Sequence, residues 1–157
     1  MSQQQPSQVD ITCPRCKFVH QLNLKPNQST YSTQCPKCQL KQEPKVAFIR
    51  AKNTQLAGRR KKNYDPGRKY QVRIVDFSGK ESVIKFYISN SRRTLDLRNK
   101  DLVIFNYVNN KLALVQNITI DEYLQITTPA DAIFSFIGYL FLALIVIFII
   151  FLLSFFS

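Results

Sequence analysis

Four cysteines in two closely spaced pairs are the feature that most limits how this chain can fold. The motif CPRC runs from Cys13 to Cys16, and the motif CPKC runs from Cys35 to Cys38 after 18 intervening residues. Two cysteines three apart on a tight turn direct both sulfurs to one side. Two such turns supply four thiolates that surround a metal ion at about 2.3 Å in a tetrahedron. The spacing therefore predicts a closed metal site rather than two disulfides.

Short runs that alternate in the manner of strands flank both motifs, with VDIT before the first and YSTQ before the second. This layout resembles the zinc-ribbon family over residues 9–48. The resemblance implies a structural Zn²⁺ held by Cys13, Cys16, Cys35 and Cys38, and iron in a rubredoxin-like site stays open. Lys17 and Gln39 depart from the family pattern, because many ribbons have a glycine directly after each cysteine pair.

The sequence offers little that could perform catalysis. A four-cysteine site leaves no position for water or substrate, whereas a catalytic zinc keeps one open. The chain has one histidine, His20, which we expect on a surface strand, and it has no H-E-x-x-H motif and no phosphate-binding loop. We therefore expect no enzymatic activity.

A long apolar run near the C-terminal end predicts a membrane-spanning helix over residues 131–157. No charged residue occurs between Ala132 and Leu153, and a helix needs roughly 20 apolar residues to cross the hydrocarbon core. The remaining residues are polar and basic, so they form only small domains, which often need a metal or a disulfide for stability. Residues 1–8 are predicted to be a disordered lead-in.

The position of this helix predicts a single-pass protein with its head in the cytosol, an arrangement that resembles tail-anchored membrane proteins. The N-terminus has no secretory signal, and all lysines and arginines precede the helix. Four cysteines that bind a metal also favour a reducing compartment. The expected location is the plasma membrane, or a thylakoid or organelle membrane with the head on the cytosolic or stromal side.

A basic linker is predicted over residues 49–68, between the ribbon and the domain that follows. Residues 51–70 contain seven lysines and arginines and one aspartate. Such a run is either a solvated connector or a contact for anionic lipid, an acidic protein surface or nucleic acid. The candidate contact residues are Arg59, Arg60, Lys61, Lys62, Arg68 and Lys69.

Residues 69–128 are predicted to form a small β-barrel. Ser78-Gly79 and Asn109-Asn110 are turn signals between runs rich in β-branched and aromatic residues. The short strands are similar to those of SH3-like or OB barrels. The predicted fold class is thus a mainly β head, made of a zinc ribbon and a small barrel, followed by one C-terminal transmembrane α-helix.

The expected function is that of a membrane-anchored adaptor or accessory subunit. Ribbons and small barrels are interaction modules, and one terminal helix would place them in the lipid bilayer beside an integral membrane complex. The alternative is a membrane-tethered nucleic-acid-binding protein, in which ribbon, linker and barrel together contact a phosphate backbone. The near balance of charge in residues 71–130, eight basic and six acidic, disfavours the alternative.

Overall fold

The structure, a computed structural model, describes residues 6–58, 67–89 and 94–126 of the chain. These residues form β-strands and turns and contain no helix, which confirms the mainly β prediction for the head. None of the described segments includes a helix long and apolar enough to cross a membrane, and the helix predicted at 131–157 lies outside them. The described residues, the last of which is Ile126, belong to one compact unit.

The N-terminal part forms a two-stranded antiparallel sheet. Strand β1 (Gln8–Thr12) pairs with β2 (Val19–Asn23), and Ile11 lies opposite His20. Side chains alternate along each strand, so Val9, Ile11 and Leu22 are buried on one face. This hairpin is held to the larger sheet by its apolar face.

The larger sheet contains the other seven strands, all paired antiparallel. They are β3 (Thr33–Gln34), β4 (Lys41–Leu56), β5 (Arg68–Val75), β6 (Glu81–Ile88), β7 (Leu102–Val108), β8 (Lys111–Asn117) and β9 (Glu122–Gln125). The spatial order is β6-β5-β4-β7-β8-β9, and β3 pairs with the beginning of β4. Because β7 returns to lie beside β4 after the β4-β5-β6 meander, strands β4 to β7 form a Greek key.

Strand β4 corrects the predicted division into ribbon, linker and barrel. It is 16 residues long, and its first half pairs with β7 while its second half pairs with β5. Residues 49–56, predicted as linker, are therefore strand, and residues 41–48, predicted as ribbon, belong to the centre of the large sheet. The sequence hides this strand because it lacks regular alternation and contains Pro44, and proline is rare in central strands. A register shift between Ile49 and Ala51 marks the change of partner.

The predicted turns lie where the sequence places them. Asn109 and Asn110 join β7 to β8 with φ values of 49° and 61°, as a two-residue hairpin of this type requires. Gly79, with φ at 82°, ends the turn between β5 and β6. Residues 94–97, with the sequence TLDL, form no strand, but Leu95 and Leu97 are buried.

Two apolar clusters lie on opposite sides of the large sheet. The first is enclosed by the sheet itself, since Phe86 of β6 and Leu124 of β9 belong to one cluster although their strands are at opposite ends of the strand order. The sheet is therefore strongly curved. The second cluster fills the space between the hairpin and the outer side of β4 and β7, and consists of Val9, Ile11, Leu22, Leu24, Tyr31, Val46, Leu102 and Ile104.

Candidate metal centre

The four predicted ligands come together at one end of the hairpin. The Sγ atoms of Cys13, Cys16, Cys35 and Cys38 all lie within 4.8 Å of one another. Cys13 Sγ is 3.6 Å from Cys38 Sγ, and Cys16 Sγ is 3.6 Å from Cys35 Sγ. A disulfide would need about 2.05 Å, whereas four thiolates around one zinc lie about 3.8 Å apart, given Zn–S bonds of about 2.3 Å. The cysteines are free, and their geometry fits a metal ion.

The two cysteine turns have the same backbone structure. In the first, the N–H of Lys17 donates to the carbonyl of Cys13 at 3.0 Å, and the N–H of Cys13 donates to the carbonyl of Phe18 at 3.0 Å. In the second, the N–H of Gln39 donates to the carbonyl of Cys35 at 2.8 Å, and the N–H of Cys35 donates to Leu40 at 3.0 Å. This repeated pattern points both sulfurs of each pair towards the same centre.

Lys17 and Gln39 have the backbone conformation that explains why glycine is common at these positions. Their φ values are 61° and 57°, in the left-handed region that costs an L-residue roughly 1–2 kcal/mol. Lys17 has side-chain contacts in return: its Nζ lies 3.3 Å from the Pro14 carbonyl, it contacts Gln125 Oε1, and it lies 5.7 Å from the Tyr123 ring centroid. The Gln39 side chain is exposed, and the Gln39 backbone carbonyl accepts a hydrogen bond from Gln34 Nε2 at 2.9 Å.

The two buried thiols differ in acidity. Burial raises the pKa of Cys13 to about 12. Burial also acts to raise the pKa of Cys35, but hydrogen bonds from the backbone N–H groups of Cys38 and Lys37 outweigh it and lower that pKa to about 7. A bound divalent cation deprotonates a coordinating thiol outright. Metal uptake near neutral pH must therefore displace the proton of Cys13.

Polar side chains of the large sheet fix the hairpin beside the metal site. Gln116 is 3 % exposed; its Oε1 accepts from the N–H of Thr12 at 3.0 Å, and its Nε2 donates to the carbonyl of Asp10 at 3.2 Å. Both contacts are to β1, directly before Cys13. Both the oxygen and the nitrogen of the Gln116 amide are thus bonded to β1, and they attach the first cysteine pair to β8.

Further contacts connect the site to β4, β7 and β9. Asn106 Nδ2 donates to Gln42 Oε1 at 2.6 Å, and both side chains are fully buried under the hairpin. Gln125 Nε2 donates to the carbonyl of Pro14 at 3.3 Å, inside the first cysteine turn. The second cysteine pair continues directly into β4. The metal site and the large sheet therefore share strands and hydrogen bonds.

His20 does not occupy the surface position expected from its sequence context. It lies on the inner face of β2, it stacks on Phe18 with ring centroids 6.5 Å apart, and both of its ring nitrogens are buried. It is outside the group of four cysteines that share the metal geometry. His20 is therefore a packed side chain of the hairpin and not a fifth ligand.

The predicted basic contact residues fall in two places. Arg68 and Lys69 begin β5, whereas Arg59, Arg60, Lys61 and Lys62 lie outside the described residues. Arg73 and Lys85, on β5 and β6, were missed as contact candidates although they stand beside Lys69 on the same side of the sheet. The alternation of β5 and β6 is the sequence signal that places these three cations on one face, because residues two apart on a strand point to the same side of the sheet.

Comparisons with known protein families, with curated proteins and with solved structures gave no match. The chemistry of the site is therefore inferred from its own geometry. Four cysteine sulfurs at this spacing can hold a metal ion such as zinc, which is consistent with a zinc ribbon.

Proposed function

We propose that this chain is a non-catalytic, membrane-anchored adaptor or accessory subunit whose β head is stabilised by a structural zinc. The observation that carries the proposal is the construction of the metal site. Four cysteines close the coordination sphere, and their turns are continuous with the strands and hydrogen bonds of the large sheet. A metal used in this way stabilises a binding surface and has no open position for substrate.

Zinc is the proposed metal because the donor set is four thiolates with no oxygen or imidazole ligand. Such sites favour zinc or iron over magnesium and calcium, which prefer oxygen. Zinc has no redox chemistry, which suits a site whose role is to hold strands together. The expected composition is one zinc per chain.

The membrane anchor is proposed from the sequence of residues 131–157. Its apolar side chains favour insertion by several kcal/mol on translocon-based scales. Anchored in this way, the head stands on the cytosolic side, and the helix has the task of localising the head and packing against an integral membrane complex. The basic residues from Arg59 to Lys69 supply the contact to an anionic partner.

Gentle detergent extraction of the native protein, followed by mass spectrometry of co-migrating chains, tests the adaptor function. We expect defined membrane subunits to accompany the protein. Replacing residues 131–157 by an unrelated apolar helix should keep membrane residence and reduce this association. If the native protein migrates alone and the helix replacement changes nothing, the adaptor proposal is wrong.

A further inference from the structure

Among the described residues, part of the outer side of the large sheet has exposed side chains. The hairpin packs over Val46 of β4 and over Leu102 and Ile104 of β7. Beyond the register shift at Ile49 and Ala51, the outer side of β4 continues into β5 and β6. There the outward side chains are exposed, and most of them are polar. We call this surface the basic face and define it as Ala51, Asn53, Gln55, Lys69, Gln71, Arg73, Val83, Lys85 and Tyr87.

The strand registers arrange the basic face in three rows. Gln55, Lys69 and Tyr87 lie side by side in the first row, Asn53, Gln71 and Lys85 in the second, and Ala51, Arg73 and Val83 in the third. Rows two residues apart are separated by about 6.8 Å, and neighbouring strands by about 4.8 Å. Each row therefore has one cation, and because Lys85 lies on β6 while Lys69 and Arg73 lie on β5, the cations of adjacent rows start about 8 Å apart.

A shallow cavity opens on the first two rows. It has a volume of about 490 Å³ and is lined by Asn53, Gln55, Lys69, Tyr70, Gln71, Lys85, Phe86 and Tyr87. The Tyr87 ring lies over Gly67, since a Cβ at that glycine would be 2.5 Å from the Tyr87 hydroxyl oxygen. With 42 % of its surface exposed, Tyr87 offers a ring beside three amide side chains.

The basic face has a net positive charge. Within the part of the chain that the structure describes, neither Lys69, Arg73 nor Lys85 has an ion-pair partner. The nearest acidic residue on the same side of β6 is Glu81, at the far end of the strand, opposite Val75. Three exposed cations with no acidic partner attract an anionic ligand that extends over several repeat units.

We propose that the basic face binds single-stranded nucleic acid. Cations in successive rows contact successive phosphates, the amides of Asn53, Gln55 and Gln71 hydrogen-bond to base edges, and Tyr87 stacks on a base. This combination of backbone cations and an aromatic platform is the one that single strands need. A lipid surface fits less well, because it favours apolar side chains that enter the bilayer, and Val83 is the main one here. This inference takes one assumption from the proposed function, which is that the head is a binding module.

The full chain, zinc-loaded and in a neutral detergent, should bind labelled oligo(dT) of about 20 nucleotides, which exceeds the roughly 4–16 nucleotides covered by one small binding fold. Fluorescence anisotropy would measure the affinity at several salt concentrations. Lys69→Gln with Lys85→Gln should lower the salt slope by about 1.4, at about 0.7 for each lost phosphate contact. Tyr87→Leu should weaken binding by about tenfold through lost stacking.

Lys41→Gln with Lys111→Gln is the matched control, because both lysines are exposed and lie away from the basic face. The control pair should retain most of the affinity and of the salt slope, and a duplex of the same length should bind at least about tenfold more weakly, because its bases are already stacked and paired. Equal losses in the two lysine pairs, or equal binding of duplex, would overturn the proposal.

Two further probes identify a different anionic partner. Vesicles of phosphatidylserine and phosphatidylcholine test a lipid surface, and polyglutamate tests an acidic protein segment. Binding of either that depends on Lys69 and Lys85, without binding of oligo(dT), would contradict the nucleic-acid proposal and leave the adaptor function intact. If the protein binds oligo(dT) but migrates without other subunits after detergent extraction, the adaptor function alone would be refuted.

Discussion

At the scale of single residues, Gln39 has a backbone conformation that its side chain does not favour. Its φ is 57° and its side chain is exposed, so Gln39→Gly should relieve strain without removing a side-chain contact. We expect the free energy of unfolding to rise by about 0.5–1 kcal/mol. Thermal unfolding of the zinc-loaded protein measures the change, with Gln39→Ala as the control that keeps the Cβ. A glycine variant less stable than the alanine variant would contradict this explanation.

The acidity of the thiols predicts how metal uptake depends on pH. With its pKa at about 12, Cys13 is protonated in the metal-free protein at neutral pH, whereas Cys35, with a pKa at about 7, is partly ionised. Zinc must displace these protons, so apparent affinity should rise with pH by about tenfold per unit for each proton released. Below pH 7 Cys35 adds one further proton to those that zinc must displace, and the slope should steepen. Competition with a chromophoric chelator measures the affinity, and a flat profile would contradict the assignment.

The ligands could be predicted from the sequence, but the residues that fix them to the sheet could not. The cysteine spacing specifies a metal site because the turn geometry is local. Gln116, in contrast, is 104 residues from Thr12, its hydrogen-bond partner, and its neighbours in sequence do not mark it as buried. Polar residues that become buried through a distant element leave no local signal.

At the scale of secondary-structure elements, the amide of Gln116 should contribute measurably to the attachment of the hairpin to β8. Replacing it by alanine leaves the N–H of Thr12 and the carbonyl of Asp10 without their partner in a buried site. We expect a loss of about 1–3 kcal/mol in the free energy of unfolding. Gln21→Ala, on the exposed face of β2, is the control and should change it by less than about 0.5 kcal/mol. Denaturant titration at fixed zinc concentration compares the two variants, and equal losses would argue against this role.

The strands with clear alternation were predictable, and the one that joins them was not. Strands β5 and β6 alternate buried and exposed residues, and the paired asparagines mark the β7–β8 turn. Strand β4 combines lysines, a glutamate and Pro44 with two sheet partners, β5 and β7, that both come later in the sequence. A strand that changes partner at a register shift is defined by its tertiary contacts. A prediction from local sequence therefore assigns its two halves to separate domains.

At the scale of the whole molecule, a chain that ends at Pro129 should be soluble and monomeric if residues 131–157 are the membrane anchor. In sealed membranes, protease added from the cytosolic side should digest the head of the full chain. Immunoblotting with an antibody to the head measures its survival. Protection of the head before detergent is added would show that the orientation is inverted.

We expect the metal site and the large sheet to form one cooperative unit, because β4 joins them. The ribbon prediction alone implies that losing the metal unfolds residues 9–48 and spares the barrel. The structure implies a wider effect, because β4 begins three residues after Cys38 and lies between β5 and β7 in the sheet. Structural zinc contributes on the order of 10–16 kcal/mol in small sites, which is as large as the roughly 5–15 kcal/mol of stability of a typical domain.

Hydrogen–deuterium exchange of the full chain, with zinc and after its removal by a chelator under reducing conditions, tests this cooperativity. Cys35→Ser is the matched variant, because it removes one ligand and keeps the side-chain size. We predict that amide protection falls in β5 and β7 together with β1 and β2. Loss of protection confined to residues 9–48, with β5 and β7 still protected, would contradict it.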